Sequence, residues 1–434
     1  MIKLTQHIGF DAATALSVMF RTYCRTNVVD DETGELERES PQQALDRSIN
    51  GLDVFNLLTK EQLELIRQYC YRNIVFPSGR WLWIGGTDWI EKQKNYIGAY
   101  NCASVPVVDW EAFRFNFRAL LMGCGVGTVV ELDKISQLPS IKYPINLVEV
   151  TELGSNWVEG NPENDNSCFT AYRIDKDTLG IIYTVGDSKE GWVDVATDIL
   201  VFSSTNLSNS GIWGNFHLPE NFDYKQINLS IDLSYVRPKG KQLKGFGGLS
   251  NPEKLEEGLR AVITILNKAV GKQLNSLEVC KILGIAGVIT VSGNVRRSAR
   301  INQGSPEDDL FTTSKDNLWV EIDGDWVIDP ERDMLRMSNH SNVYHTKPTL
   351  ETLVAAIRKQ FYSGEGAIQY APEAVSRANV DLLDTENKRK KFLNLYCEDR
   401  NLAKDYLQEL SKNTLDEREL EHRMNRLGLN PCGR

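Results

Sequence analysis

WEAFRFNFRALLMGCGVGTVV, residues 110–130, holds a complete helix-to-strand transition. Phe113, Phe117, Leu120 and Leu121 recur at spacings of three and four, which predicts a helix from Trp110 to Met122 with one apolar face. Gly123-Cys124-Gly125-Val126-Gly127 ends that pattern, and Thr128-Val129-Val130 reads as a strand. The same alternation continues outward. Toward the N-terminus, Ala12 to Phe20 reads as an amphipathic first helix, and residues 41–72 as helical with Leu63, Ile66 and Tyr69 or Cys70 on one face. Phe76 to Thr87 reads as a short aromatic strand between Pro and Gly turns. Toward the C-terminus, residues 131–245 are mixed, with short strands such as Gly180 to Val185, and Lys244 to Gly248 is a glycine-rich loop. Leu255, Leu259, Val262, Ile263 and Leu266 form a second helical stripe, and Leu277 to Val291 reads as a buried helix. Trp319 to Ile322, Asp323-Gly324 and Asp325 to Ile328 carry a hairpin signature. Leu350 to Phe361 reads as an amphipathic helix, and residues 382–427 as charged, solvated helices. Helices alternating with short strands predict an α/β fold.

Composition narrows the function. The 434 residues carry a net charge of -10, with 41% hydrophobic and 25% charged residues. That balance fits a globular protein, and a general nucleic-acid binder would be more basic. No apolar run approaches the roughly 18 residues of a membrane span, and the first apolar stretch lacks the basic start of a signal peptide. Eight cysteines stand at positions 24, 70, 102, 124, 168, 280, 397 and 432, none in a CxxC pair. A zinc knuckle is therefore not expected, and a reducing cytoplasm is the simplest setting. The five histidines show no metal-binding spacing, and His340 and His345 read as part of a polar loop.

Four motifs have ligand chemistry. Like Lys244 to Gly248, the run Gly123 to Gly127 could let backbone amides approach a phosphate, or could be a tight turn. No Gly-Lys-Ser/Thr follows it, and it precedes a strand rather than opening a helix, so it is neither a Walker A nor a dinucleotide loop. Arg296-Arg297 could grip a phosphate or close salt bridges at a helix end. In Asn430-Pro431-Cys432-Gly433, proline and glycine bracket a cysteine and would present its sulfur at a loop tip.

Taken together, the motifs resemble the monomeric adenosylcobalamin-dependent (class II) ribonucleoside-triphosphate reductases. In chain order they are Pro77-Ser78-Gly79-Arg80, Leu82-Trp83-Ile84, Gly86-Thr87-Asp88, Asn101-Cys102, Gly125-Val126-Gly127 and Ile135-Ser136-Gln137-Leu138-Pro139. Next come Glu190-Gly191-Trp192-Val193, Asp232-Leu233-Ser234, Val236-Arg237-Pro238 and Gly245-Phe246-Gly247-Gly248. Gly293-Asn294-Val295-Arg296-Arg297-Ser298-Ala299 and the closing Asn430-Pro431-Cys432-Gly433 complete the series. The resemblance implies the first half of a ten-stranded α/β barrel, whose finger loop carries a thiyl-radical cysteine. Residues 1–100 would be a helical N-terminal region, and 101–130 with 246–434 the barrel part. Residues 131–245 would be an insert that mimics a dimer partner and helps form the effector site. By the same match Cys432 is the radical site, Asn430 holds the sugar hydroxyls and Cys102 is one of the redox pair. Asn101 and Gly125 fall where the family meets its substrate. The implied cofactor is adenosylcobalamin. The implied partners are a ribonucleoside triphosphate, deoxynucleoside triphosphate effectors and a thioredoxin-type reductant, acting on a monomer.

The sequence also departs from the family. Arg434 stands where the family has a proton-handling glutamate after Gly433, and an arginine has no acceptor to replace it. The second redox cysteine and the second barrel half are not in these 434 residues. The expectation is a chain that works with a missing C-terminal half, joined by splicing or supplied in trans. A reductase whose radical comes from a separate metal-containing subunit and a non-catalytic nucleotide-binding module are the other readings.

Overall fold

The computed structural model describes residues 13–29, 36–54, 56–91, 95–209, 211–219, 221–241, 250–292 and 299–431. Lys244 to Gly248, Arg296-Arg297 and Cys432 lie outside the described residues. The chain divides into two compact units, Met1–Asn101 and Cys102–Arg434.

The first unit is mainly helical. Helices Pro41–Asn50 and Lys60–Tyr71 each begin with a capping box, Ser40 with Gln43 and Thr59 with Gln62. They bury Ala44, Leu45, Ile49 and Cys70 in one small core with Leu82. Phe76 to Thr87 is not a strand, because Gly79–Ile84 is a helix. The Ser78 side chain accepts from the backbone of Trp81 and starts that helix, and the local cap outweighs the strand preference of the aromatics.

The second unit is built on a parallel sheet of five short strands: β1 (Cys102–Pro106), β2 (Gly125–Val129), β3 (Arg300–Gly304), β4 (Asn339–Tyr344) and β5 (Ala367–Tyr370). They pair in chain order, and every pair is parallel. Parallel neighbours require crossovers. The helix α1 (Trp110–Leu121) carries the chain from β1 to β2, with the Asp109 side chain capping its start and Gly123 in the left-handed region, φ 71°, just past its end. The helix predicted from Trp110 to Met122 is thus present. The glycine run after it is a helix stop followed by a strand rather than a phosphate loop.

Between β2 and β3 the chain makes a second, mixed sheet. Its strand order is Ile145–Val150, Gln226–Asp232, Thr178–Thr184, Cys168–Arg173 and Asn215–His217. Helix α2 (Lys189–Ser204) caps this region, followed by α3 (Glu253–Lys268) and α4 (Ser276–Ser292). The predicted stripe Leu255, Leu259, Val262, Ile263 and Leu266 is buried along α3. Trp319–Ile322 and Asp325–Ile328 form the expected hairpin, with Asp323 at φ 53° and Gly324 at φ 88° in its turn. Helix α5 (Leu350–Ser363) links β4 to β5. The helices Glu386–Glu398, Arg400–Leu410 and Glu417–Met424 are less solvated than expected, because Phe392, Tyr396, Tyr406, Leu407, Leu420 and Met424 form a core with Val129 and Val343.

His340 is not in a loop. It lies in β4 and is buried, because Asn302, Ser314 and the Phe311 ring surround it. The strand sequence NHSNVY shows no apolar alternation, so nothing in its pattern marks it as a sheet position.

Candidate active site

Residues two apart on a strand share a face. On β1 these are Cys102 and Ser104, on β2 Gly125, Gly127 and Val129, and on β3 Ile301 and Gln303, in register as Cys102 with Gly125, Ser104 with Gly127, and Gln303 with Val129. The segment 427–431 lies across this face as a strap. Its Leu429 N–H donates to Gln303 Oε1 at 2.6 Å, and Gln303 Nε2 donates back to the Leu429 carbonyl at 2.9 Å. Gln369 on β5 donates to the Leu427 carbonyl at 2.5 Å. A Cβ on Gly127 would overlap the Leu429 carbonyl, and a Cβ on Gly428 would overlap Ser104 Oγ. Glycine at these two positions lets the strap lie directly against the strands.

At the amino ends of β1 and β2 the strap meets a thiol. A point one Cβ bond out from Gly125 lies 3.4 Å from the Pro431 ring and 3.5 Å from Cys102 Sγ. The half-buried Cys102 and the residue preceding Cys432 therefore converge on one bare patch of strand. Asn430 is half-buried next to it. Gly125 is fully enclosed in the strand. Asn101 is exposed at the end of the first unit, and its Oδ1 accepts from Arg80 Nε at 2.6 Å. Cys24, Cys70 and Cys280 lie elsewhere and are buried, which pushes their thiols upward, Cys24 to about 11 and Cys280 to about 12. Cys124 is a buried side chain beneath the strand.

No protein-family model matches the chain. The adenosylcobalamin-dependent ribonucleoside-triphosphate reductase of Lactobacillus delbrueckii subsp. bulgaricus is 30% identical over 280 residues, 59% of this chain and 35% of that protein. The enzyme of the same description from Levilactobacillus brevis is 31% identical over 287 residues, 61% of this chain and 36% of the relative. A crystal structure of a B12-dependent (class II) ribonucleotide reductase shares the fold, with a TM-score of 0.56 and 23% identity over 79% of this chain and 47% of that one. The chain is homologous to the adenosylcobalamin-dependent ribonucleoside-triphosphate reductases. It spans about a third of the length of these curated relatives.

Compared with the residues expected from reductase motifs, the structure adds Gln303, Gln369, Ser104 and Gly428. For the two glutamines the only sequence signal is a glutamine inside a short strand, in RINQG and in AIQY, and Ser104 and Gly428 carry no signal of their own. The opposite face of the reductase-like sheet carries a buried polar network. Asn302 Oδ1 accepts from Thr128 Oγ1 at 2.7 Å and from Arg300 at 3.0 Å, while its Nδ2 reaches Ser338 at 3.0 Å and His340 Nε2 at 3.1 Å. Burial, then Lys315 and Arg300, push His340 down to about 3, so its imidazole is neutral. At the carboxyl ends of β2 and β4, buried Glu131 meets His345 Nε2 at 2.7 Å, and His345 Nδ1 meets the Tyr396 hydroxyl at 3.1 Å. These contacts tie the C-terminal helices to the strand ends far from Cys102.

An apolar cavity of about 20 Å³ lies among α1, α2, α3 and α4, lined by Phe113, Phe117, Leu200, Leu259 and Ile285. It has room for about one water and does not fit a corrin. No helix among the described residues is long and apolar enough to cross a membrane.

Proposed function

We propose that this chain provides the thiol-bearing part of a class II ribonucleotide reductase, which converts ribonucleoside triphosphates to deoxyribonucleoside triphosphates for DNA synthesis. The observation that carries the reading is the convergence of Cys102 Sγ and Pro431 on Gly125. A radical abstraction followed by a two-electron reduction needs two kinds of thiol on one sugar-sized surface. Cys432 is the radical-bearing thiol that removes the 3′ hydrogen of the ribose and gives it back once the 2′ carbon is reduced. Cys102 is one of two thiols that are oxidised to a disulfide as the 2′ hydroxyl leaves as water. The two electrons and two protons of the thiols balance the loss of water and formation of the 2′ C–H bond. Asn430 orients the sugar hydroxyls, and Asn101 and Gly125 border the substrate. A thioredoxin-type protein reduces the disulfide afterwards.

The five parallel strands act as the first half of a ten-stranded barrel. Residues 131–245, which hold the mixed sheet, act as the insert that replaces a dimer partner and helps bind deoxynucleoside triphosphate effectors. On this reading the protein acts as a monomer, in the cytoplasm. Adenosylcobalamin, named in the description of the relatives, is the cofactor of the whole protein. The cavity among α1 to α4 is too small to hold it.

The native protein carrying this chain should form deoxynucleotides from ribonucleoside triphosphates and a dithiol only when adenosylcobalamin is added, and Cys432→Ser should abolish the product. Reduction without the cobalamin but with a metal-containing subunit would support the separate-subunit reading. Binding of deoxynucleoside triphosphates in equilibrium dialysis without any turnover would leave a nucleotide-binding module.

A further inference from the structure

We infer that Gln303 is a positioning residue whose carboxamide sets the height and register of the strap, and through it the placement of the Cys432 thiol. The consequence for chemistry rests on Cys432 being the reacting thiol, whereas the clamp is read from the sheet alone. Gln303 is fully buried in the middle strand of a parallel sheet, where a primary amide is costly unless both its ends are bonded. Both ends bond to one residue, accepting from the Leu429 N–H and donating to the Leu429 carbonyl. That reciprocal pair copies the exchange between two backbone residues of adjacent strands, so a side chain takes the place of a neighbouring strand.

The surroundings are shaped to the same end. Gly127 leaves room for the Leu429 carbonyl, and Gly428 leaves room against Ser104. Gln369 holds the Leu427 carbonyl two residues earlier, giving a second fixed point along the strap. Two anchors two residues apart set both direction and register. A slip of one residue would move the strap by about 3.3 Å and turn its carbonyls away from both glutamines. Cys432 follows Leu429 by three residues, so the clamp fixes the backbone that leads up to it. Misplacement by about 1 Å is enough to cost a reaction roughly a hundredfold.

Gln303→Leu keeps the apolar bulk and removes both bonds, while Gln303→Glu makes them depend on protonation. A neutral carboxylic acid can donate and accept as the amide does, but a carboxylate only accepts and would face the Leu429 carbonyl. Burial raises the glutamate above its ordinary value of about 4.3, which brings the change into an accessible range. Two readouts need no cofactor: hydrogen exchange at the Leu429 amide, and alkylation of Cys432 by iodoacetamide, followed by mass spectrometry with exposed Cys397 as internal control. Gln303→Leu should raise both rates about tenfold, the equivalent of losing one such pair of bonds. Gln303→Glu should match the wild type at low pH and Gln303→Leu at high pH, with each rate taken relative to the wild type at the same pH. Unchanged rates in a folded Gln303→Leu, or a Gln303→Glu that shows no pH transition, would overturn the clamp. If Gln303→Leu does not fold, the glutamate variant carries the test alone. A confirmed clamp in a protein without reductase activity would sink the functional reading and leave this one standing.

Discussion

In the mixed sheet, on the strand Cys168–Arg173 beside the central one, stands Phe169, fully buried, with the rings of Tyr183, Phe202, Trp213 and Phe216 at 4.9 to 5.8 Å. At the centre of the parallel sheet stand Gly127 and Gln303. The two sheets have the same number of strands. The first is held by side chains meeting side chains, and one of its faces is closed by aromatic packing. The second offers one face to backbone, and its side chains are missing, small or amidic along much of the strap's path. A sheet position with no side chain, next to one with a buried amide, therefore marks a docking place for a peptide rather than a weak point in a core.

The largest expected effect breaks the packed side of this contrast. Phe169→Ala should cost about 3–5 kcal/mol, read as a lower midpoint in urea unfolding. A loss below ~1 kcal/mol would mean that the aromatic cluster is not the support of the mixed sheet. Next in size is a paired test on glycine. Gly127→Ala forces the Leu429 carbonyl off the sheet and, in an assay of the proposed reductase activity, should lower turnover by about a hundredfold in protein that still folds. Gly180→Ala in the mixed sheet pushes into the Tyr172 ring instead and should lower stability by about 1–3 kcal/mol. If Gly127→Ala lost stability and kept turnover, the distinction between the sheets would fail.

The smallest effect separates the sheets by sign. Asp198, beneath the mixed sheet, accepts from the Tyr183 hydroxyl and from Arg114, yet burial raises it to about 6. A raised carboxyl favours the folded state at low pH, and that contribution is lost as pH rises from about 4 to about 6. His340, behind the parallel sheet, is depressed to about 3, so its contribution is present above about 6.5 and lost as pH falls toward 3. The two trends oppose each other in a global melting curve. Hydrogen exchange resolved by segment should show the parallel sheet loosening on acidification while the mixed sheet tightens. Asp198→Asn and His340→Gln should each flatten the trend in its own sheet.

The helices were the legible part of the fold. In α1 and α3 the apolar residues return every three or four positions, and burial follows that spacing. The hairpin at Asp323-Gly324 was equally open to reading, because two successive residues there need positive φ. The central sheet was not. RINQG, NHSNVY and AIQY are short and partly polar, because one face is a hydrogen-bonded network and the other receives the strap. Cys102, Gly125 and Asn430 were reached through family resemblance, not through any periodicity. Gln303 and Gln369 escaped because a glutamine in a strand ordinarily signals solvent, and only the fold shows what they bond.

The strap has a kinetic meaning as well. Gln303 and Leu429 are 126 residues apart in the chain, and Lys134 and Asn425 are 291 apart. Contacts of such range form late, because a long loop must close before they return any energy. During synthesis, β1 to β4 emerge while the segment that satisfies Gln303 is still to be made. Until then the amide must bond to water, so the nascent sheet keeps a wet seam along one face. Arrival of the strap dries that seam, and the interval before it is the time when the sheet is most open to wrong strand partners.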